Sequence, residues 1–372
     1  MKTLVLGGYG NFGARISRAL AADAAIELLV GGRDLERATA FAQSLAGRAR
    51  AVRVDAQSPD FARGLRELGV ELVIHTAGPF QNQDYRVPRA VAAAGAHYID
   101  LADGRRFVCD FPAALDGVFR GAGRTAVTGA STVPALSSAV VDHLAAGWQG
   151  IRGIDICIAP AQGAPRGEAT LAGVLAYCGA PIRVWQHGRW TEQPGWARPA
   201  VVRFARMRPR RGALCDIPDL ELFPARHAGV QSVMFRAALE VGLTQQAFAF
   251  LAALRRIGLL PAPQKLARLL HATGGLFDAF GSALGGMVVR VEGIDARGAA
   301  VHRAWHIAAD HNHGPEIPCM AAILLARRLA RGDALPMGAQ ACMGLLALRE
   351  FEPEFARWGM VTDVVDDGAR AA

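Results

Sequence analysis

Residues 3–20 constrain this chain more than any other stretch. Thr3-Leu-Val-Leu-Gly7 is a short apolar run suited to a buried parallel strand, and it leads into Gly8-Tyr9-Gly10-Asn11-Phe12-Gly13 and the helical stretch Ala14–Leu20. Among 42 glycines, a G-x-G-x-x-G spacing alone would mean little. Set between a strand and a helix, it reads as a dinucleotide-binding turn. Gly8 is expected to let the chain turn sharply, Gly10 to let a pyrophosphate approach the backbone, and Gly13 to let the helix pack close on its strand. The helix N-terminus offers free N–H groups and the positive end of its dipole to the phosphates. Gly8, Tyr9, Gly10, Asn11, Phe12 and Gly13 are therefore the expected cofactor loop.

The second strand decides which dinucleotide. Ile26-Glu-Leu-Leu-Val30 ends in Gly31-Gly32-Arg33-Asp34, where an NAD-binding chain would carry an acid for the ribose 2′-hydroxyl. Gly32 leaves room for a 2′-phosphate and Arg33 offers it a planar charged partner. Arg37, one helical turn on, adds a second charge. This pattern predicts NADP(H). The competing reading leaves Arg33 solvated and gives the ribose of NAD to Asp34.

Strands and helices continue to alternate. Arg50–Asp55 reads as a third strand, with Asp55 placed either for the adenine amino group or as a turn cap. Glu71–Gly78 reads as a fourth, and its small end residues Ala77 and Gly78, followed by Pro79, permit close approach of the ribose and nicotinamide. His97–Asp100 and Thr125–Thr128 read as a fifth and sixth, the latter opening into Gly129-Ala-Ser131-Thr132-Val-Pro134. The pattern predicts an α/β fold, a doubly wound parallel sheet of Rossmann type over residues 1–146.

Four segments, GGYGNFG (7–13), GGRDLERA (31–38), AGPFQNQDYRVPRAVAAAGAHYIDLADG (77–104) and GASTVP (129–134), make the chain resemble the saccharopine dehydrogenase-like NADP-binding family. The third is the most specific, joining a Gly-Pro-aromatic turn, a helix and a Tyr-x-Asp strand end. A looser likeness runs on through GPEIPCMAAILLARRLARG (314–332). The resemblance implies NAD(P)H-linked chemistry at a C–N, C–O or C–C centre; members include saccharopine-forming reductases, carboxynorspermidine synthases and trans-acting enoyl reductases. Phe80, Asp103, Ser131 and Thr132 are the expected substrate neighbours. The proton donor is expected at the fifth-strand end, Asp100 foremost with Tyr98 and Asp103 beside it, or at His311. The second half departs from a saccharopine-forming enzyme: it shows no catalytic lysine and no arginine-rich pocket for a dicarboxylic amino acid.

Composition narrows the chemistry. The only lysines are Lys2 and Lys265, which disfavours a Schiff base, and no tyrosine has a lysine four residues on. Six cysteines without a C-x-x-C pair, and His306, His311 and His313 without a carboxylate or cysteine in helical register, give no expected metal site. The formal charge of +8 is almost all arginine. Its densest cluster, Arg203, Arg206, Arg208, Arg210 and Arg211, reads as a solvated loop, not a nucleic-acid surface. A first strand at residue 3 leaves no room for a signal peptide, so a cytoplasmic protein is expected.

Residues 147–313 read as an α+β domain on a mostly antiparallel sheet, serving substrate binding and dimerisation, with about 314–350 returning to the first domain. Amphipathic helices within 243–285 read as a lid, a homodimer interface, or a lipid-facing surface making peripheral membrane contact. The expected activity is hydride transfer from NADPH to a C=N, C=O or C=C centre of a small or lipid-like substrate. Two alternatives stay open: a trans-acting enoyl or keto reductase of polyketide or lipid synthesis, and a non-catalytic NADPH-binding regulator.

Overall fold

The computed structural model describes residues 1–45, 47–165 and 167–366, and the chain divides into two compact units. The first comprises Met1–Ala135 and Glu316–Met343; the second comprises Leu136–Pro315 and the chain from Gly344.

In the first unit, strands β1 (Lys2–Leu6), β2 (Glu27–Gly32), β3 (Ala49–Arg53), β4 (Leu72–His75), β5 (His97–Asp100) and β6 (Thr125–Thr128) alternate with helices α1 (Asn11–Ala21), α2 (Leu35–Gln43), α3 (Phe61–Glu67), α4 (Arg86–Ala93) and α5 (Arg105–Gly121). Leu4, Val5, Leu29, Val30, Val73, Ile74 and Ile99 are wholly buried, as parallel strands covered on both faces require. The sheet order is β6-β5-β4-β1-β2-β3, with a seventh strand, Gly338–Ala341, pairing in parallel beyond β6. Strand order reverses between β1 and β4. Ligands of open α/β sheets bind in the crevice at such a reversal, outside the carboxyl ends of the strands. The helix Ile317–Ala330 packs on α1, where Glu316 meets Arg15 at 2.8 Å and Arg327 meets Asp23 at 3.9 Å.

The second unit is built on a mixed sheet. In order it runs Ala200–Val202, Arg210–Leu214, Ser232–Ala238, Gly150–Ala159, Gly285–Ile294, Ala300–Ala309 and Val361–Asp366, with the hairpin Pro181–Gln186/Arg189–Pro194 attached to Ser232–Ala238. Among the described strands of this unit only Gly150–Ala159 and Ser232–Ala238 pair in parallel. His187 and Gly188 both take positive φ, 51° and 70°, which suits the twist of a two-residue hairpin. The helix Ser137–Leu144, within the 1–146 stretch expected to be the first domain, groups with the second unit, where its Asp142 pairs with Arg226 at 2.8 Å.

Within the arginine cluster Arg203, Arg206, Arg208 and Arg211 are exposed, as expected of a solvated loop, and Arg210 is the exception. Arg206 grips Asp363 through two bonds of 2.7 and 2.9 Å. Arg210 is buried, donates to the carbonyls of Pro160 and Leu284, and pairs with Glu240 at 3.3 Å. The three late histidines do not converge: His306 Nδ1 accepts from the Ala205 N–H, His313 Nδ1 lies 2.9 Å from the Trp358 carbonyl, and His311 is exposed on a left-handed turn.

Candidate functional site

The carboxyl ends of β1, β2, β4 and β5 form one continuous surface in the first unit. Its centre is the glycine loop. The left-handed residue is Gly7, with φ +81°, one place before the position expected to make the sharp turn. Gly8 is constrained by crowding instead: a Cβ there would lie 2.8 Å from the Val5 carbonyl oxygen. At Gly13 a Cβ would strike the Gly7 carbonyl and Thr76 Oγ1, so α1 can seat against the loop only without one. Thr76, unremarked in the sequence, donates to the Leu6 carbonyl at 2.9 Å and fixes the end of β4 to the loop. No side chain caps the N-terminus of α1 and no acid lies in its first turn. Its leading N–H groups therefore face an open cradle with the dipole's positive end, as a pyrophosphate requires. Asn11 and Phe12 begin that turn, half-buried.

At the end of β2, Tyr9 lies against Gly32, where any Cβ would collide with its ring. The Tyr9 hydroxyl accepts from the Asp34 N–H at 3.2 Å, and the Arg37 guanidinium stacks 5.0 Å over the ring. Asp34 is the N-cap of α2, its carboxylate accepting from the Arg37 N–H at 3.0 Å. Arg33 is exposed and makes no side-chain bond among the described residues. Asp55 lies past β3 in a turn of its own, accepting from the Gln57 N–H at 3.0 Å.

The end of β4 supplies a shelf. Ala77, Gly78 and Pro79 are exposed, with a cis Gly78–Pro79 bond, and Gln83 Nε2 donates to the carbonyls of Ala77 and Pro79 at 2.8 and 3.0 Å. Phe80 turns inward, its ring 5.1 Å from His75 and 5.4 Å from Phe107. Asp103 lies beside this turn, accepting from Gln81 Nε2 at 3.0 Å. The residue presents surface to solvent, yet protein packed round its carboxyl desolvates it and raises its pKa.

Below the shelf lies a buried polar chain, one member of which, His75, the sequence did not single out. Asp100 is fully enclosed, and its Oδ1 accepts from Thr128 Oγ1 and from the N–H groups of Ala102 and Gly129 at 2.8–2.9 Å. It ties the ends of β5 and β6 together. Burial pushes its pKa up to about 6 against the pull of those bonds. The Tyr98 hydroxyl lies 3.0 Å from His75 Nδ1, and burial, with the Asp100 carboxyl nearby, raises the phenol. Burial also lowers His75 to about 4, so the ring is neutral, and it bonds in turn to the backbone of Ala77. Tyr98, Asp100 and His75 are all at most 2% exposed, so none of them faces a ligand directly. Ser131 is buried and Thr132 half-buried after β6, next to this anchor. His311 belongs to the second unit.

Residues 3–127 match the family model described as "Saccharopine dehydrogenase NADP binding domain". The matched residues lie within the first unit. No curated protein matches the chain in sequence. Among solved structures it is similar to the apo form of a saccharopine dehydrogenase (L-Glu forming) from Saccharomyces cerevisiae, with 12% identity, TM-score 0.69, and 98% of this chain and 99% of that one covered. That likeness extends the shared fold from the NADP-binding domain through the second unit. Far looser are GenD2 from gentamicin A biosynthesis, in complex with NAD (15% identity, TM-score 0.42, 81% and 71% covered), and a 3-hydroxyacyl-CoA dehydrogenase type-2 from Mycobacterium avium (18% identity, TM-score 0.30, 34% and 71% covered).

Proposed function

We propose that the protein is an NADPH-dependent oxidoreductase that delivers hydride to a C=N, C=O or C=C centre of a small or lipid-like molecule. The observation that carries this reading is the end of β2. Arg33 is exposed with no side-chain bond among the described residues, and the adjoining acid, Asp34, is engaged as a helix cap; the room expected at Gly32 is instead taken by the Tyr9 ring. That arrangement favours a 2′-phosphate over a bare ribose hydroxyl. The glycine loop and the uncapped start of α1 would hold the pyrophosphate, and the Ala77–Pro79 shelf the nicotinamide ribose. The bound nucleotide supplies the hydride.

The chain's own residues supply position and a proton. Asp100, Tyr98 and His75 are positioning residues: they hold the strand ends and, through Ala77, the shelf. Asp103 is the proton donor in this reading, because of the acids at the end of β5 it alone presents surface, and its raised pKa keeps it protonated further toward neutral pH.

Coenzyme titration is the test. NADPH should bind more tightly than NADH. Arg33→Ala should remove most of that preference, roughly ten- to a hundredfold, as expected for a lost charge-assisted contact. Equal affinity for the two nucleotides in the unaltered protein would defeat the assignment. Once a screen of imines, ketones and enoyl esters yields a turned-over substrate, Asp103→Asn should lower kcat about a hundredfold or more with NADPH affinity intact. An unchanged kcat would remove Asp103 from the mechanism.

A further inference from the structure

The helix Gly242–Arg256 in the second unit has two apolar sides, and only one is used. On the inner side Gln245 and Ala252 are buried, Phe248 packs 4.7 Å from Trp196, and Arg255 donates to the carbonyls of Ala176 and Cys178. The outer side carries Leu243 and Phe250, 61% and 63% exposed, and Ile257, the C-cap, 68% exposed. Spaced seven apart, these three fall on one stripe. The chain that follows adds Leu259, Leu269 and Phe280, at 72%, 61% and 76% exposure. Six large apolar side chains exposed within residues 243–280 mark a contact surface.

The charges interleaved with them identify the partner. Arg256, Lys265 and Arg268 are exposed and form no ion pair among the described residues. The single acid of residues 242–280 is Asp278, whose carboxylate accepts from Gln162. A second copy docked through this surface about a two-fold axis would bring its three cations against a partner surface of the same sign, whose single acid is already bonded. We propose that this face docks on an anionic phospholipid surface, its apolar side chains entering the headgroup boundary while the three cations meet lipid phosphates and carboxylates. The inference is independent of the redox reading and would place the protein where apolar substrates partition.

Co-sedimentation with phosphatidylcholine vesicles, with and without phosphatidylserine, tests it on the full chain. The unaltered protein should pellet with the phosphatidylserine vesicles and be released by salt. Phe250→Ser/Ile257→Ser/Leu269→Ser should cut that partition by at least about tenfold. Arg256→Gln/Lys265→Gln/Arg268→Gln should reduce it toward the level on pure phosphatidylcholine, by about fivefold per charge. All six positions are exposed, and NADPH titration of each variant checks that it remains folded. The proposal is overturned if the unaltered protein stays in the supernatant, or if both triple variants bind vesicles as it does. It is equally overturned if the serine variant instead dissociates a dimer that never bound lipid. Loss of NADPH binding with vesicle binding retained would refute only the redox reading.

Discussion

Asp219 is a carboxylate whose charge this fold resists. It is wholly enclosed at the start of the helix Asp219–Arg226, with the Ser137 hydroxyl beside it, and burial pushes its pKa up to about 7. A folded pKa above the unfolded value means the native state holds its proton longer. Its contribution is fully present below about pH 4, the unfolded value, and is lost as pH rises through about 7. Asp219→Asn removes the ionisation and keeps an acceptor for Ser137. Its melting temperature should therefore exceed that of the unaltered protein at pH 8, with the difference vanishing near pH 4. Each tenfold change in proton affinity between the folded and unfolded chain is worth about 1.4 kcal/mol, so the effect is a few kcal/mol. Thermal melts at the two pH values decide this, and equal melting temperatures at pH 8 would show that the carboxylate is solvated. The sequence could not point to Asp219, because an acid beginning a helix is ordinarily an exposed partner of the dipole. His75 and Thr76 were equally silent: ending a strand, they look like any half-buried polar pair, and only the register against β1 and β5 makes one a link to Tyr98 and the other a clamp on the glycine loop.

At the scale of elements, legibility followed period and punctuation. The runs at 3–7, 26–30 and 125–128 form close to where they were read, because parallel strands bury both faces, whereas the strand read over 71–78 ends at His75 and its last residues form the turn that follows. His187-Gly188 and Asp295–Gly298 lie at the turns of hairpins, which need residues tolerant of left-handed or tightly bonded backbone. The glycine turn was found, but its mechanics were displaced by one residue. The motif spacing marks where a side chain is excluded, whereas the backbone reversal falls on Gly7, outside that spacing. Elements made by partners distant in sequence were missed. Val361–Asp366 is a strand through its pairing with Ala300–Ala309, and most of its residues are exposed, so no alternation betrays it. Arg210 hides in a run of arginines, yet it is buried because two carbonyls and Glu240 await it.

At the scale of the whole molecule, the first unit is not a contiguous stretch. Its last helix and last strand arrive after a loop of about 180 residues of other structure, and loop closure over such a span costs only slowly more as it lengthens. What that segment returns is large. Ile317, Met320, Ile323, Leu325 and Leu329 are all buried on the helix Ile317–Ala330, and at about 1.5–3 kcal/mol for each large apolar side chain they match a typical domain's whole margin of stability. Gly338–Ala341 also covers the open edge of β6, with Ala339 N–H bonded to Asp116 on α5. A fragment of residues 1–135 should therefore lack a cooperative melt and fail to bind NADPH, although it carries every loop residue of the cofactor site. The same fragment joined through a short linker to residues 316–343 should regain both. Circular dichroism melts and nucleotide titration of the two fragments test this directly. If residues 1–135 alone melt cooperatively and bind NADPH, the returning segment is an accessory to the domain and not part of its core.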